Sequence, residues 1–311
     1  MIELIAAPSS LGLRPDAPGI EPGAWRAPGA LLSAGLAARL NAVGVTELEH
    51  PRYEFEMQPA TRIRNGLSIR EYSLTLGDAV GMALNARRFP VVVGGDCSVL
   101  LGCLVGARRG GLCGLVHVDG HCDFFHPANY DTSSRLGSVA GMDLALATGR
   151  GELLLTHWPH VGKPLVADDD VVQLGDRETE TSAMDGSWGT VLDTPIRQLT
   201  VRQILGLGVE EVAGRVAGRV AARGLGRVWL HVDLDVLDQD VMPAVDSPGS
   251  PGLDFPSLAE LIAALVAATP VIGVNVTIYD PDRDPVGRYA TQIVDCLVAG
   301  LGAAPQQGVR R

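Results

Sequence analysis

Gly114-Leu115-Val116-His117-Val118-Asp119-Gly120-His121-Cys122-Asp123 decides how this chain is read. An apolar run leads into three side chains of metal-ligand type at every second position. A second stretch repeats the pattern: Arg227-Val228-Trp229-Leu230-His231-Val232-Asp233-Leu234-Asp235. Alternate residues of a strand share a face. The spacing therefore predicts that Asp119, His121 and Asp123 point one way, and that Asp233 and Asp235 point together. Four carboxylates and an imidazole gathered at strand ends repel one another and lose hydration unless a cation sits among them. A metal site is the expected reading, against that of a solvated polar strand end.

Working outward, apolar runs at 2–6, 90–93, 114–118, 170–174, 227–233 and 271–278 predict strands. Helical stretches are expected at 28–42, 72–87, 98–108, 138–148, 198–206, 209–223 and 256–268. Strands apolar throughout and separated by helices imply a parallel sheet covered on both faces. Ligands of such sheets bind beyond the carboxyl ends of the strands, where both acidic clusters lie. Val91-Val92-Val93-Gly94-Gly95-Asp96-Cys97-Ser98 reads as a strand, a glycine turn and a helix start, with Asp96 or Ser98 as the cap.

The 311 residues carry 25 Lys and Arg against 36 Asp and Glu, a formal net charge of −11. That balance disfavours nucleic acid and anionic membranes as partners. At 46% hydrophobic residues the chain has material for a large core. No linker divides it, so one domain is expected over 1–302, with 303–311 as a frayed tail. Met1–Pro8 lacks the basic and long apolar regions of a signal peptide and reads as a first strand. No apolar stretch reaches the roughly 18 residues of a spanning helix. The five cysteines (97, 103, 113, 122 and 296) are odd in number and form no CxxC pair, which fits a reduced, cytoplasmic setting.

Gly94–Ser98, Asp119–Asp123, Ser138-Val139-Ala140-Gly141-Met142 and Asp233-Leu234-Asp235-Val236-Leu237-Asp238 resemble, in order, the signature blocks of the arginase/agmatinase (ureohydrolase) family. Pro243 with Ser247–Leu253, and Leu174-Gly175-Asp176-Arg177, resemble further family segments. The likeness runs from about residue 2 to 300. It implies a three-layer α/β/α sandwich around a mostly parallel sheet and a homo-oligomer, often a trimer or hexamer. It also implies a pair of Mn²⁺ ions whose bridging hydroxide attacks a guanidino carbon, releasing urea and an amine. Carried over, Asp119 and Asp233 bridge the ions. Cys97 and Asp123 complete one ion's ligands, and His121 and Asp235 the other's. Asp123 also holds the nucleophile.

Three positions depart from the family pattern. Cys97 stands where the family has His, and a thiolate favours Zn²⁺ or Fe over Mn²⁺. A branch of the family acting on N-hydroxylated arginine shares this Cys. Ala140 stands where a His shuttles protons, leaving His126 as a candidate replacement. Ile278 stands where a Glu grips the guanidinium, which turns attention to Glu180 and Asp280 as substrate-binding residues. The expected activity is metal-dependent hydrolysis of a C–N bond in a small guanidino-like or amidine-like molecule. Alternatives are a catalytically lapsed metabolite-binding homologue and an amide deacylase on the same fold.

Overall fold

The apolar runs become strands with every residue buried, as in Phe89–Gly94, Gly114–Val118 and Val228–Asp233. The computed structural model describes residues 1–178 and 191–302. Eight strands form one sheet: β1 (Ile2–Ala7), β2 (Gly44–Glu47), β3 (Phe89–Gly94), β4 (Gly114–Val118), β5 (Val171–Leu174), β6 (Arg197–Leu199), β7 (Val228–Asp233) and β8 (Val271–Thr277). Their order is β2-β1-β3-β8-β7-β4-β5-β6, and every pairing is parallel.

Ten helices flank it among the described residues: α1 (Ala27–Ser33), α2 (Leu36–Arg39), α3 (Gly66–Asn85), α4 (Val99–Arg108), α5 (Asp143–Ala147), α6 (Leu153–Thr156), α7 (Val201–Leu207), α8 (Val209–Ala222), α9 (Phe255–Ala268) and α10 (Arg288–Leu301). One apolar core joins a sheet face to Leu31, Val212, Ile262 and Ile293 of α1, α8, α9 and α10. The other joins the opposite face to Leu76, Leu100 and Leu144 of α3, α4 and α5. The expected three-layer sandwich is the observed one. No described helix is long and apolar enough to cross a membrane.

The differences from expectation fall where apolar pattern is weak. Edge strands β2 and β6 are short and only half buried, so they lack the continuous apolar run that marks an inner strand. β6 occupies the start of the helix expected at 198–206. That helix begins only at Val201, because Thr200 accepts from the Gln203 N–H and Gln203 reaches back in a capping box. The helix expected over 28–42 breaks at Gly35, whose φ is +90°. The stretch 138–148 divides into a single turn at Val139–Gly141 and the short α5. α10 was not anticipated, although Ala290, Ile293, Val294, Leu297 and Leu301 bury one helical face. The tail at 303–311 lies outside the described residues.

The Gly94-Gly95 turn is dictated by close approach of backbone. A Cβ on Gly95 would stand 1.6 Å from the Ser9 carbonyl oxygen. No rotamer change can relieve a clash with backbone. Gly214, in the middle of α8, faces open space. We therefore expect Gly95→Ala to destabilise the protein by about 3 kcal/mol or more. Gly214→Ala should stabilise it by roughly 0.5–1 kcal/mol. Denaturant unfolding of both variants checks the pair, and equal stabilities would refute the packing argument.

Candidate metal centre

The two acidic stretches do not lie along strands, as alternation predicted. β4 ends at Val118 and β7 at Asp233. What gathers the ligands is a turn at each strand end. The Asp119 carboxylate accepts from the His121 N–H at 2.7 Å, and the Asp233 carboxylate accepts from the Asp235 N–H at 2.7 Å. An Asp that bonds the backbone two residues on folds the chain into an Asx turn. Leu234–Val236 is accordingly one 3₁₀ turn. Asp123 takes a left-handed backbone, φ +44°, which swings it back toward the others.

These turns produce two donor groups. Asp119, His121 and Asp235 offer atoms within 4.8 Å of one another, as do Cys97, Asp119, His231 and Asp233. Asp119 belongs to both. His121 Nδ1 lies 2.9 Å from Asp235 Oδ2, and Cys97 Sγ donates to Asp233 Oδ2 at 2.7 Å. Asp123 groups with Cys97 and Asp143. All six residues expected from the sequence thus meet at the carboxyl ends of the central strands.

Electrostatics inside this cluster are severe. Burial raises the pKa values of Asp123 and Asp233 well above the usual carboxylate range, and the neighbouring carboxylates raise them further. Burial acts the same way on Asp119, but hydrogen bonds and charge from the nearby imidazoles outweigh it and hold Asp119 ionised. Burial pulls His121 down, yet Asp235 and Asp119 lift it well above its ordinary value. The Cys97 thiol is pushed well up by burial and then by Asp233 and Asp123. Its place just before α4 would favour a thiolate, but burial first and the carboxylates second outweigh that.

Behind the cluster lies a buried polar row that sequence reasoning passed over. His117, His231 and Asn275 are register partners on β4, β7 and β8. Trp229 Nε1 donates to Asn275 Oδ1 at 2.7 Å, and Asn275 Nδ2 stands 2.7 Å from His231 Nδ1. An indole N–H can only donate, so the amide oxygen must accept and the amide nitrogen must donate. His231 therefore carries its proton on Nε2, which lies 3.8 Å from both Asp119 Oδ2 and Asp143 Oδ2. His117 stacks on His231 at 4.6 Å and reaches Asp143 at 3.2 Å. The signal was available: both histidines sit two residues before a ligand Asp, inside otherwise apolar strands. Asp96, expected as a cap for α4, instead accepts from the Gly12 N–H and from Ser9 and Ser98 hydroxyls. Burial raises it to about 6.

The cluster forms the floor of a cavity of about 250 Å³, whose walls include Phe125, Tyr130, Arg14, Arg135, Asp246 and Ile278. The other sequence candidates fall elsewhere. His126 is not part of the lining; its Nδ1 accepts from the Ala128 N–H. Asp280 also stands outside, because its carboxylate caps the turn at Pro281–Arg283 and pairs with Arg283 at 3.3 Å. Glu180 lies outside the described residues. Ala140 and Ile278 do line the cavity, and Ile278 is held at φ +76°, a strained conformation for a β-branched side chain.

Comparison with known proteins agrees with this architecture. The arginase of Bacillus caldovelox is 30% identical over 201 residues, covering 64% of this chain and 63% of that one. The arginase of Staphylococcus aureus strain COL is 26% identical over 264 residues, covering 82% and 81%. The crystal structure of the B. caldovelox arginase superposes with a TM-score of 0.81 at 25% identity, covering 98% of this chain and 99% of that one. The sequence pattern of the arginase family matches residues 4–300. The chain belongs to the arginase family.

Proposed function

We propose that the protein is a metal-dependent hydrolase that cleaves a C–N bond in a small guanidino or amidino compound. One observation carries this reading: the Asp119 carboxylate belongs at once to the His121/Asp235 group and to the Cys97/Asp233 group. A shared carboxylate between two donor groups is what a pair of cations requires.

The donor set fits such a pair. Asp119 Oδ2 is fully buried and meets no hydrogen-bond donor, and three further carboxylates crowd it. Oxygen donors suit Mn²⁺, while Cys97 draws one position toward Zn²⁺ or Fe. Asp119, His121 and Asp235 would hold one ion, and Cys97, Asp119, Asp123 and Asp233 the other. When bound, the ions supply Lewis acidity and make water a nucleophile near neutral pH. Asp123, at the cavity floor, holds the attacking water by a hydrogen bond and passes its proton to the leaving nitrogen. No imidazole stands at residue 140, so Asp123 acts without a His shuttle there.

Ile278 narrows the reacting group. Its aliphatic side chain lines the cavity where a carboxylate would pair with a guanidinium. A desolvated cation without a counter-charge is costly, so a neutral or weakly basic head, such as an N-hydroxyguanidine, suits this wall best. An amide would suit it too, and would release a carboxylic acid in place of urea.

Protein loaded with Mn²⁺ should carry about two ions per chain and release urea from a guanidino compound or hydroxyurea from an N-hydroxyguanidino compound in a panel of both. Asp233→Ala should lose the metal and at least about a thousandfold in turnover while keeping its helical circular dichroism. Metal-free wild type after loading, with neither urea nor hydroxyurea from any compound, would refute the proposal. Cys97→His should raise Mn²⁺ occupancy, because imidazole suits that ion better than a thiol. Equal occupancy of the two proteins by elemental analysis would show that Cys97 does not limit binding.

A further inference from the structure

Tyr130 stands between two guanidinium groups on the cavity wall. Its hydroxyl accepts from Arg14 Nη2 at 2.7 Å and from Arg135 Nε at 2.5 Å, and donates weakly to the Leu136 carbonyl. Both guanidiniums also lie over its ring, at 6.0 Å and 5.2 Å. A phenol is neutral. It aligns the two cations but does not offset their charge. Among the described residues, no carboxylate pairs with Arg14 or Arg135. Asp246 lines the same cavity and acts on Arg14 electrostatically, but it is bonded by the Ser247 hydroxyl and no ion pair joins it to Arg14. Glu178 also faces the cavity, and Arg64 adds to the positive field around Arg14.

Arg14 is held there by design of the surrounding backbone. Its loop is fixed by Asp96 on the Gly12 N–H, by Asn65 Nδ2 on the Leu11 carbonyl at 3.0 Å and by the Tyr53 hydroxyl on the Leu13 carbonyl at 2.8 Å. An arginine placed so firmly, half buried beside a like charge, has most of its five N–H donors left for a ligand.

From this arrangement we infer that Arg14 and Arg135, aligned by Tyr130, form an anion subsite, and that the substrate is a small carboxylic acid whose carboxylate lies there while its hydrolysable C–N end faces the acidic floor. This deepens the hydrolase reading above and rests on it for the floor, though not for the subsite. Phe125, Met142 and Ile278 add apolar lining to the same cavity. The space of about 250 Å³ is large enough for a short-chain acid. The planar fork of a guanidinium matches a carboxylate in two parallel hydrogen bonds. A substrate with a cationic tail would meet two positive charges in its place and be rejected.

The test uses Mn²⁺-loaded protein and three probes that share the weakly basic N-hydroxyguanidino head: 4-(N-hydroxyguanidino)butanoate, its primary amide, and N-hydroxyagmatine, whose tail is an ammonium. Binding is read by titration calorimetry and turnover by hydroxyurea release. Wild type should bind the acid at least about tenfold more tightly than the amide, and N-hydroxyagmatine more weakly still. Arg14→Ala and Arg135→Ala should each reduce the preference for acid over amide, and the double variant should erase it. Arg14→Lys should keep part of it. Unchanged thermal melting of the variants separates loss of the subsite from loss of the fold. Equal affinity of wild type for acid and amide, binding of none of the three, or a preference that survives in the double variant would each overturn the inference. Butanoate should compete with the acid better than inorganic phosphate does, and the reverse order would overturn the carboxylate assignment. A preference for the acid without hydroxyurea from any probe would sink the hydrolase reading and leave the subsite standing. Hydroxyurea from acid and amide at equal efficiency would do the opposite.

Discussion

Carboxylates crowded at the ends of buried strands are the constraint on which this molecule is organised. Asp119, Asp123, Asp233 and Asp235 cannot all be charged in so little water without a compensating cation. The protein does not avoid the crowding; it builds it. Two Asx turns of the same geometry, one after β4 and one after β7, aim the four groups at a common point. Burial, and after it the mutual repulsion of these groups, pushes Asp123, Asp233 and Cys97 toward their protonated forms. A bound cation reverses that preference, since ligands must shed protons to coordinate.

Holding such a cluster requires support that is not itself charged on the cavity side. Arg177 provides some of it. Its guanidinium donates to the Asp235 and Pro251 carbonyls, and it packs where a Cβ on Gly120 or Gly249 would otherwise stand. One cation thereby ties the turn after β7 to the segment around residue 250, and the glycine of Asp119-Gly120-His121 exists to admit it. The row Trp229–Asn275–His231 supplies the rest. It spans the sheet's central strands and ends with the His231 imidazole, whose Nε2 stands 3.8 Å from Asp119 Oδ2 and from Asp143 Oδ2, too far for a hydrogen bond to either.

The convergence of the acidic cluster was legible in the sequence because it is local. Six residues in three short segments, each following an apolar run, carry their own spacing. The reason offered for that spacing was nonetheless incomplete: the residues converge through turns after the strands, which a period of two cannot reveal. The inner strands and the three layers were legible for the same reason, since full burial writes a continuous apolar run. β2 and β6 were not, because an edge strand needs only one neighbour and no such run. The substrate-facing wall was illegible for a physical reason of a different kind. Arg14, Tyr130, Arg135, Asp246 and Ile278 come from separate loops with no common periodicity, and only the fold brings them together. Asp280 and His126 show the converse. Nearness in sequence to a signature block suggested a role, but a local cap in one case and a loop hydrogen bond in the other already occupy the side chain.

Floor and walls of the cavity are held together by different rules. The floor residues, Cys97 among them, are tied to one another by charge, so replacing one alters the demand on all the rest. Cys97 bonds Asp233, so the group stays connected even as a thiol. Wall residues carry no such mutual obligation. Ile278 keeps a left-handed backbone that suits its bulk poorly, while its N–H still donates to the Gly95 carbonyl at 2.6 Å. The backbone there is held by that hydrogen bond next to the Gly94-Gly95 turn, and the side chain has been exchanged upon it. Strain of this kind, of order 1–3 kcal/mol, persists where the surrounding structure over-determines the conformation. One scaffold thus sets an acidic floor beside an aliphatic wall and a pair of arginines in the same cavity.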